Sequence, residues 1–473
     1  MTEPLLCQCD VGEIAGFMNA SSSMASVPPR FTSVSTDSRK LQPGALFFAL
    51  RGDNFDGHQF VQDAIDKGAR GVVVDEACEE VHAHVLLVKD TKKALGALAA
   101  AIIAKRRALG TFELYAVTGS NGKTTCKELL AALLSCAGPC LKTSGNLNND
   151  IGMPLVALQL TAEHRSAVLE MGANAPGEIA HLVSLAQPDV CLLSAVAAAH
   201  LQGFGSIEGV ARAKAEIFSN PRCRRMVFPR RLASHYPALL DDPRTVLVDE
   251  PGDPEEPRPS VRVQALQCHR RSTKASYLLG DTQLELEMPL IGAHNALNLG
   301  LALAALYDRL PSAACMQEAL TALELPGGRL QWLKTAQGID LLNDAYNANP
   351  SSMRAALSTL CAQAPATSRI VVFGEMRELG PESLALHRDL GAAVAAADVR
   401  ALLCVGGEAA RAMAEGALAA GMESSKVTTW TAEQIGGILD TLRSLLVAGD
   451  VVLLKASRAM ALERVAQGLG ARP

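Results

Sequence analysis

The most informative stretch of this chain is Val117-Thr118-Gly119-Ser120-Asn121-Gly122-Lys123-Thr124-Thr125. Glu113 to Val117 has the character of a short buried strand, and leucines recur at helical spacing after the loop, at Leu129, Leu130, Leu133 and Leu134. A strand, a glycine-rich turn, Gly-Lys-Thr and a helix, in that order, predict a cradle for the triphosphate of ATP or GTP. Backbone N–H groups would surround the phosphates, Lys123 would supply positive charge and the Thr124 hydroxyl would meet Mg²⁺.

The loop matches a short variant of the phosphate-binding motif. The strict pattern has a glycine five residues before Gly122, where this chain has Val117, so the match is to Thr-Gly-x-x-Gly-Lys-Thr. A chance glycine turn is the alternative, and the flanking strand and helix argue against it. The nucleotide-binding residues predicted from the loop are Gly119, Ser120, Asn121, Gly122, Lys123, Thr124 and Thr125.

The composition describes an ordinary globular chain with large cores. Its 473 residues suffice for about three domains, and 49% of them are hydrophobic. The net charge of −5 argues against non-specific binding to nucleic acid or anionic membranes. No apolar run approaches a bilayer span, and the N-terminus has no signal-peptide pattern. Twelve cysteines without paired metal spacing favour reduced thiols over a disulfide framework, so we expect a cytoplasmic protein.

The alternation of strands and helices predicts an α/β protein of three domains. We expect a small α/β unit at 1–112, a central phosphate-loop unit with a mainly parallel sheet at 113–330, and a Rossmann-like open sheet at 331–473. The last unit has no intact G-x-G-x-x-G, so no dinucleotide is expected. An acidic, proline-rich tract at 249–259 is interpreted as a surface loop, and a hairpin at 277–288 closes the central unit. Further predicted strands are Ala167–Met171, Val190–Val196, Ile339–Asp344, Arg369–Phe373, Ala401–Val405 and Val451–Lys455.

Two polar residues follow predicted strands of the central unit. Glu170 lies at the carboxyl end of its strand, where parallel α/β sheets bind ligands, and a carboxylate there is suited to Mg²⁺. His200 comes four residues after the strand that ends at Val196, which favours a role beside the phosphates. A purely structural histidine is the alternative.

Asparagines cluster in two stretches, 144–150 and 344–350. Amide side chains both donate and accept hydrogen bonds, which suits a peptide-bearing substrate. Asparagines also cap loops in most proteins, and the sequence favours neither substrate binding nor loop capping. The candidate substrate-binding residues are Asn146, Asn149, Asn347 and Asn349.

These motifs resemble those of the Mur ligases, in the family's order and over nearly the whole chain. The loop at 118–125 is similar to the family's ATP motif. The segments 145–152, 170–174 and 344–350 resemble the members that add D-alanyl-D-alanine. Thr36-Asp37-Ser38-Arg39 with Asp56-Gly57-His58 looks like the UDP-binding module, which makes Ser38 and Arg39 candidate substrate-binding residues.

Further motifs of the resemblance lie around the junction to the last unit. Ala293-His294-Asn295 resembles an adenine-contacting His-Asn pair, and Arg329 the arginine at the junction to the C-terminal domain. The stretch 374–380 resembles the glycine motif beyond it. Three positions depart from the family: Glu375 replaces an aspartate, Lys455-Ala456-Ser457-Arg458 replaces Lys-Gly-Ser-Arg, and Pro229-Arg230-Arg231 replaces an expected Asn-x-Asp-Asp-like turn.

The resemblance implies an ATP- and Mg²⁺-dependent ligase that joins D-alanyl-D-alanine to UDP-MurNAc-tripeptide through an acyl phosphate, as a monomer. It implies catalytic roles for Lys123, His200, Lys214 and Arg329, metal ligation by Thr124, Glu170 and His200, and nucleotide binding by Asn295, Arg329 and Asp344. Lys214 aligns with a lysine that is carbamylated in sister ligases; whether it is carbamylated here stays open. The alternatives are the diamino-acid-adding ligase, folylpolyglutamate synthase and a regulatory phosphate-loop ATPase.

Overall fold

The computed structural model describes residues 3–23, 30–52, 55–77, 83–253 and 260–472. Three main sheets and the helices that cover them confirm the predicted α/β architecture. Of the acidic tract interpreted as a surface loop, residues 254–259 lie outside the described residues. Within the described ranges, no helix is both long and apolar enough to cross a lipid bilayer.

The N-terminal unit has a five-stranded sheet with the order β1-β7-β6-β3-β2, and a separate pair formed by β4 and β5. Its strands are β1 (Ser21–Ser23), β2 (Val34–Ser35), β3 (Leu46–Phe48), β4 (Arg51–Gly52), β5 (Phe55–Asp56), β6 (Gly71–Val74) and β7 (His84–Leu87). Its helices are α1 (Val11–Met18), α2 (Val61–Asp66) and α3 (Thr91–Ala108). Asp10 and Glu13 form a capping box at the start of α1, which satisfies backbone N–H groups left open there.

The central unit has a nine-stranded sheet with the order β16-β15-β14-β13-β12-β11-β8-β10-β9. Its strands are β8 (Glu113–Thr118), β9 (Cys140–Lys142), β10 (Ser166–Glu170), β11 (Val190–Leu193), β12 (Arg225–Pro229), β13 (Thr245–Asp249), β14 (Ser260–Cys268), β15 (Thr273–Leu279) and β16 (Thr282–Met288). Neighbours pair in parallel from β9 to β14, and the predicted hairpin, β15 and β16, extends the sheet in antiparallel fashion.

Helices cover both faces of this central sheet. They are α4 (Lys123–Ser135), α5 (Gly152–Ala157), α6 (Glu178–Ala186), α7 (Leu201–Phe204), α8 (Ile207–Ala215), α9 (Pro237–Leu240), α10 (Ala293–Ala305) and α11 (Ala313–Thr321). Alternate residues of β8 join different cores: Leu114 packs in the core that contains α3, and Tyr115 in the core that contains α4 and α10. Burial on both faces explains why β8 is a continuous apolar run rather than an alternating one.

The C-terminal unit has a six-stranded sheet with the order β17-β18-β22-β19-β20-β21, parallel except for β17. Its strands are β17 (Gln331–Lys334), β18 (Asp340–Asn343), β19 (Arg369–Gly374), β20 (Ala401–Val405), β21 (Val427–Trp430) and β22 (Val451–Lys455). Its helices are α12 (Pro350–Gln363), α13 (Ser383–Ala396), α14 (Glu408–Ala419), α15 (Ile435–Leu445) and α16 (Glu463–Gly468). The domain boundaries expected after residues 112 and 330 stay predictions.

Two expectations need correction. The strand predicted to run to Val196 ends at Leu193, because Ser194 and Ala195 leave the sheet and hydrogen-bond to the phosphate loop. Reduced thiols are also wrong for one pair: Cys136, at the end of α4, forms a disulfide with Cys315 in α11, with the Cα atoms 6.1 Å apart. These cysteines lie 179 residues apart, and only the packing of α4 on α11 brings them together. The other cysteines in the described ranges are free.

Candidate active site

The phosphate loop, 118–124, lies where β8 ends, beside the carboxyl ends of β10 and β11. Gly119 has φ +147° and Gly122 φ +79°, conformations that favour glycine. A Cβ on Gly119 would stand 2.2 Å from the hydroxyl oxygen of Ser194, so no larger residue fits. The Ser194 hydroxyl donates to the carbonyl oxygen of Asn121 at 2.5 Å, and the N–H of Ser120 donates to the carbonyl oxygen of Ala195 at 2.8 Å. The end of β11 therefore holds the loop in shape.

Lys123 begins α4 with its ammonium folded back over the loop. Its Nζ donates to the carbonyl oxygen of Gly119 at 2.7 Å. Burial lowers the pKa of Lys123, the charge of Glu170 raises it, and the charge of Arg329 lowers it further. Among the residues that the structure describes, no carboxylate forms an ion pair with Lys123, so this cation is available to an incoming polyanion.

Thr124 and Glu170 form the candidate metal-binding pair. The Thr124 hydroxyl donates to Oε2 of Glu170 at 2.9 Å, and both side chains are buried. The other carboxylate oxygen accepts from the side-chain amide of Asn148 at 2.8 Å. The N–H of Glu170 donates to the hydroxyl oxygen of Thr143 at 2.9 Å, which fixes the end of β10.

These residues fit a magnesium ion shared with phosphates. Within the described part of the chain, no group of three or more His, Cys, Asp or Glu side chains is placed to enclose a metal. Mg²⁺ commonly takes one or two protein oxygens and completes its octahedron with phosphate oxygens and water. A hydroxyl and a carboxylate 2.9 Å apart, beside a phosphate loop, supply that partial set.

Arg329 and Asp344 bring the C-terminal unit onto this pocket. Nη2 of Arg329 donates to the Thr124 hydroxyl oxygen at 2.9 Å, and the guanidinium lies 4.2 Å from the ring centroid of Tyr346. Asp344 pairs with Lys455 at 2.6 Å and accepts from the N–H of Leu330 at 3.1 Å. Apart from Gly119, the nucleotide-binding residues predicted on either side of the junction thus line one cavity of about 740 Å³.

His200 lies at the rim of this cavity. Its Nδ1 contacts the carboxylate of Glu378, a residue of the C-terminal unit. Burial lowers the pKa of His200; the neighbouring Glu378 raises it, and the charges of Lys123 and Lys214 lower it. A neutral imidazole is the form that can ligate a metal.

Lys214, on α8, is buried near His200. Its Nζ lies 3.4 Å from the carbonyl oxygen of Ala173 and 5.4 Å from the ring centroid of Phe204. Burial lowers the pKa of Lys214 to about 7, and the charge of Lys123 acts in the same direction. A buried lysine with this pKa carries a substantial fraction of neutral, nucleophilic amine at neutral pH.

Most of the predicted asparagines have structural partners. The side-chain oxygen of Asn149 accepts from the N–H of Gly152, the first residue of α5, at 2.8 Å, and Asn349 caps α12 with Ser352 in a capping box. Asn347 accepts from the N–H of Ala348 at 2.9 Å, while the exposed Asn146 lines the cavity with the other three. Capping and substrate contact are therefore compatible here, and the substrate role stays a prediction.

Ser38 and Arg39 lie away from this cavity, in the N-terminal unit. Ser38 is buried, and Arg39 pairs with Asp37 at 2.9 Å. Neither is among the residues that line the cavity. Asn295 does line it, and its side-chain oxygen accepts from Asn298 at 3.0 Å.

Sequence reasoning missed several residues of the cavity. Asn148 orients Glu170, Asn298 braces Asn295, and Lys455 neutralises Asp344. The Lys-x-Ser-Arg motif was a signal for Lys455. For Asn148 and Asn298 the sequence offers only an asparagine-rich stretch and a helical offset of three residues from Asn295.

A phosphate loop, a carboxylate at the end of a neighbouring strand and an arginine at the junction to a second α/β unit define a nucleotide-dependent enzyme of two facing lobes. Family models match at 30–102 (Mur ligase family, catalytic domain), 117–306 (Mur ligase middle domain) and 328–458 (Mur ligase, glutamate ligase domain). The chain belongs to the Mur ligase family. It is 36% identical over 449 residues to the UDP-N-acetylmuramoyl-tripeptide–D-alanyl-D-alanine ligase of Escherichia coli, covering 92% of this chain and 93% of that one.

Solved structures agree with this assignment. A crystal structure of MurF from Acinetobacter baumannii matches with a TM-score of 0.84 and 28% identity, covering 99% of both chains. MurF ligase from Thermotoga maritima in complex with ADP matches with a TM-score of 0.77 and 27% identity, covering 92% of this chain and 96% of that one. The family assignment made from the motifs is confirmed.

Proposed function

We propose that this chain is an ATP-dependent ligase that joins D-alanyl-D-alanine to the terminal carboxylate of UDP-MurNAc-tripeptide, giving the pentapeptide precursor of peptidoglycan. The observation that carries the proposal is the hydrogen bond from Arg329 to Thr124. It brings an arginine from the junction to the C-terminal unit onto the hydroxyl that faces the phosphates, so one cavity can receive ATP and an acid together. The similarity to the ligases described above supports the choice of substrates.

The first step is activation of the acid. A carboxylate is a poor electrophile, so its oxygen attacks the γ-phosphorus of ATP, ADP leaves, and an acyl phosphate forms. Two anions must approach each other in this step, which requires dense positive charge. Lys123, whose ammonium donates to the Gly119 carbonyl oxygen, and Arg329, whose guanidinium donates to Thr124, would supply it.

The second step is attack by the dipeptide. Its neutral amine adds to the acyl carbon, a tetrahedral intermediate collapses, and the C–O bond to phosphate breaks as the C–N bond is completed. The amine proton passes to solvent. Asn347 and Asn349 line the same cavity and are proposed to orient the peptide portions of the substrates.

Thr124 and Glu170, with His200 at the rim, would hold Mg²⁺. When bound, the ion would supply charge neutralisation of the phosphate oxygens. Asn148 would keep the Glu170 carboxylate aimed at the ion. Asn295 and Asp344 are proposed to bind the adenosine portion of ATP.

We also propose that Lys214 is carbamylated. Addition of CO₂ to an amine forms an N–C bond and releases one proton, and it requires the neutral amine that burial favours here. The product is an anionic oxygen ligand, whereas an ammonium cannot ligate a metal. Wild-type protein in ¹³C-bicarbonate should show a carbamate carbon resonance that Lys214→Ala lacks; a spectrum without this resonance would overturn carbamylation.

The remaining expectations belong to the same proposal. Ser38 and Arg39 would bind the UDP portion in the N-terminal unit, distant from the phosphate loop in sequence. We further propose that the enzyme is a cytoplasmic monomer, which accords with its soluble nucleotide substrates. Its three units are proposed to lie at 1–112, 113–330 and 331–473.

The test is an acceptor panel with purified full-length protein. Either UDP-MurNAc-tripeptide or UDP-MurNAc-dipeptide is incubated with ATP, Mg²⁺ and one acceptor (D-alanyl-D-alanine, meso-diaminopimelate, lysine or glutamate), and products are identified by mass spectrometry. Phosphate release and a pentapeptide product that both depend on D-alanyl-D-alanine are the expected result. Dependence on a diamino acid with UDP-MurNAc-dipeptide would overturn the substrate assignment. Steady ATP hydrolysis without any acceptor would instead favour a regulatory ATPase.

A further inference from the structure

One pair of contacts joins the C-terminal unit to the central unit beside the phosphate loop. The carboxylate of Glu378 contacts Nδ1 of His200, and the N–H of Gln202 lies 3.4 Å from the carbonyl oxygen of Glu378. Glu378 lies in the loop that follows β19, and His200 lies between β11 and α7. Glu378 thus contacts His200 through its side chain and Gln202 through its backbone. These two contacts together set the relative position of the two loops.

The chemistry of the contact determines the form of the imidazole. An ionised carboxylate only accepts hydrogen bonds, so the ring nitrogen that faces it must carry the hydrogen. The hydrogen of a neutral His200 is therefore on Nδ1, and the lone pair is on Nε2. In the described ranges Nε2 has no hydrogen-bond partner, and His200 lines the cavity with Lys123.

The loop that presents Glu378 is anchored within its own unit. The carboxylate of Glu375 accepts from the N–H of Gly407 at 2.6 Å, and its carbonyl oxygen accepts from the N–H of Ser457 at 3.1 Å. The N–H of Met376 donates to Nε2 of His387 at 3.0 Å. The position of Glu378 is therefore set by the C-terminal unit before it meets His200.

Both partners have left-handed backbone conformations. His200 has φ +54° and Glu378 has φ +63°, although neither is glycine. Non-glycine residues persist in this region where the surrounding structure requires it, and such residues cluster at functional sites. Two of them meeting across the boundary between units argues against an incidental surface ion pair.

We propose that Glu378 is a positioning residue that holds His200 with its hydrogen on Nδ1 and its Nε2 lone pair directed to the metal site, so that the site is completed only when the C-terminal unit docks. Histidines that ligate metals commonly donate their second ring N–H to a carboxylate. Here that carboxylate comes from another unit of the chain. The inference rests on the proposed function in one respect, the role of His200 toward the metal.

The experiment compares Glu378→Ala, Glu378→Gln and a control, Glu382→Ala, which removes a carboxylate four residues further along. Free Mn²⁺ is measured by electron paramagnetic resonance in the presence of a non-hydrolysable ATP analogue. The histidine tautomers are read from long-range ¹H–¹⁵N spectra, with the His200 signals assigned through His200→Gln. Thermal melting of each variant checks that it is folded.

In Glu378→Ala we expect about 10- to 100-fold weaker Mn²⁺ binding and loss of the Nδ1–H tautomer at His200. Glu378→Gln should stay within about threefold of wild type, because its amide oxygen still accepts from Nδ1–H. Glu382→Ala should match wild type.

Wild-type Mn²⁺ affinity in a folded Glu378→Ala, or an unchanged His200 tautomer, would overturn the inference. Equal losses in the Ala and Gln variants would also overturn it, because charge rather than hydrogen-bond acceptance would then matter. The acceptor panel, run on wild-type protein in parallel, keeps the two proposals separate. A wild type that makes no pentapeptide counts against the proposed function, whereas the tautomer of His200 is measured without any substrate.

Discussion

Asn121 of the phosphate loop and Asn349 at the start of α12 exchange two amide hydrogen bonds, at 2.7 and 3.2 Å. Asn121 also donates to the hydroxyl oxygen of Ser351 at 2.6 Å. The loop that is to bind ATP is thus tied directly to the N-terminal end of a helix in the C-terminal unit. The Arg329–Thr124 hydrogen bond is a second contact of the same kind. The two contacts mean that residues of the phosphate loop help to hold the central and C-terminal units together.

Replacing Asn121 with alanine should weaken this docking. A lost hydrogen bond that leaves the side-chain amide of the buried Asn349 unpaired costs about 1–2 kcal/mol, which corresponds to a roughly 5- to 30-fold decrease in kcat/KM for ATP. Asn349→Asp is the matched variant, since it keeps the oxygen that caps α12 but cannot donate to Asn121. In the double variant the two effects should not add. If the losses of kcat/KM in the two single variants add up in the double variant, Asn121 and Asn349 do not act as a pair.

Lys123→Ala should abolish most of the ligase activity. The lysine is the cation of the phosphate loop and is proposed to meet the transferred phosphate, and loss of one such group typically lowers kcat about 10²- to 10³-fold. Pentapeptide formation is the measurement, with Lys274→Ala, a lysine on the distant hairpin strand β15, as the control. Product formation at the wild-type rate by a folded Lys123→Ala would contradict the electrostatic part of the mechanism.

Asn148→Ala should raise the magnesium requirement. Without the amide, one oxygen of Glu170 loses its partner and the carboxylate is free to rotate away from Thr124. Loss of such a supporting group typically weakens metal affinity about 10- to 100-fold. A Mg²⁺ titration of initial rates gives the value, and Ser144→Ala, in the same loop, serves as the control. An Mg²⁺ dependence identical to wild type would show that Asn148 is not needed to hold Glu170.

The low pKa of Lys214 predicts a pH dependence of stability. Burial sets this pKa at about 7 in the folded chain, against an ordinary value of 10.5. Between these values the unfolded chain binds one more proton, so the free energy of unfolding rises with pH from about 7 to about 10.5. Below about pH 7 the lysine is charged in both the folded and the unfolded chain. The cost of burying that charge then lowers the free energy of unfolding by its full amount.

Melting temperatures of wild type and Lys214→Met, measured in CO₂-free buffers between pH 6.5 and 10, test this. Lys214→Met should be the more stable protein at the acid end, and its advantage should shrink as pH rises. A difference that stays constant across the range would show that Lys214 does not titrate there.

The strand, loop and helix around Lys123 could be predicted because the information lies in consecutive residues. Periodic burial and glycine at required positions are local properties, and the two turns at Gly119 and Gly122 have the conformations that the motif demands. The same holds for Glu170, which ends a strand parallel to β8 and therefore must reach the loop.

Local sequence motifs were enough to predict the phosphate-binding loop, the three α/β units and the protein family. The tertiary structure alone brings Asn121 to Asn349, Cys136 to Cys315 and Glu378 to His200. These pairings join residues up to 228 positions apart, as Asn121 and Asn349 are. Such contacts depend on how helices pack within a unit and how finished units dock, and both are governed by the shape and polarity of whole surfaces that no single stretch of sequence displays.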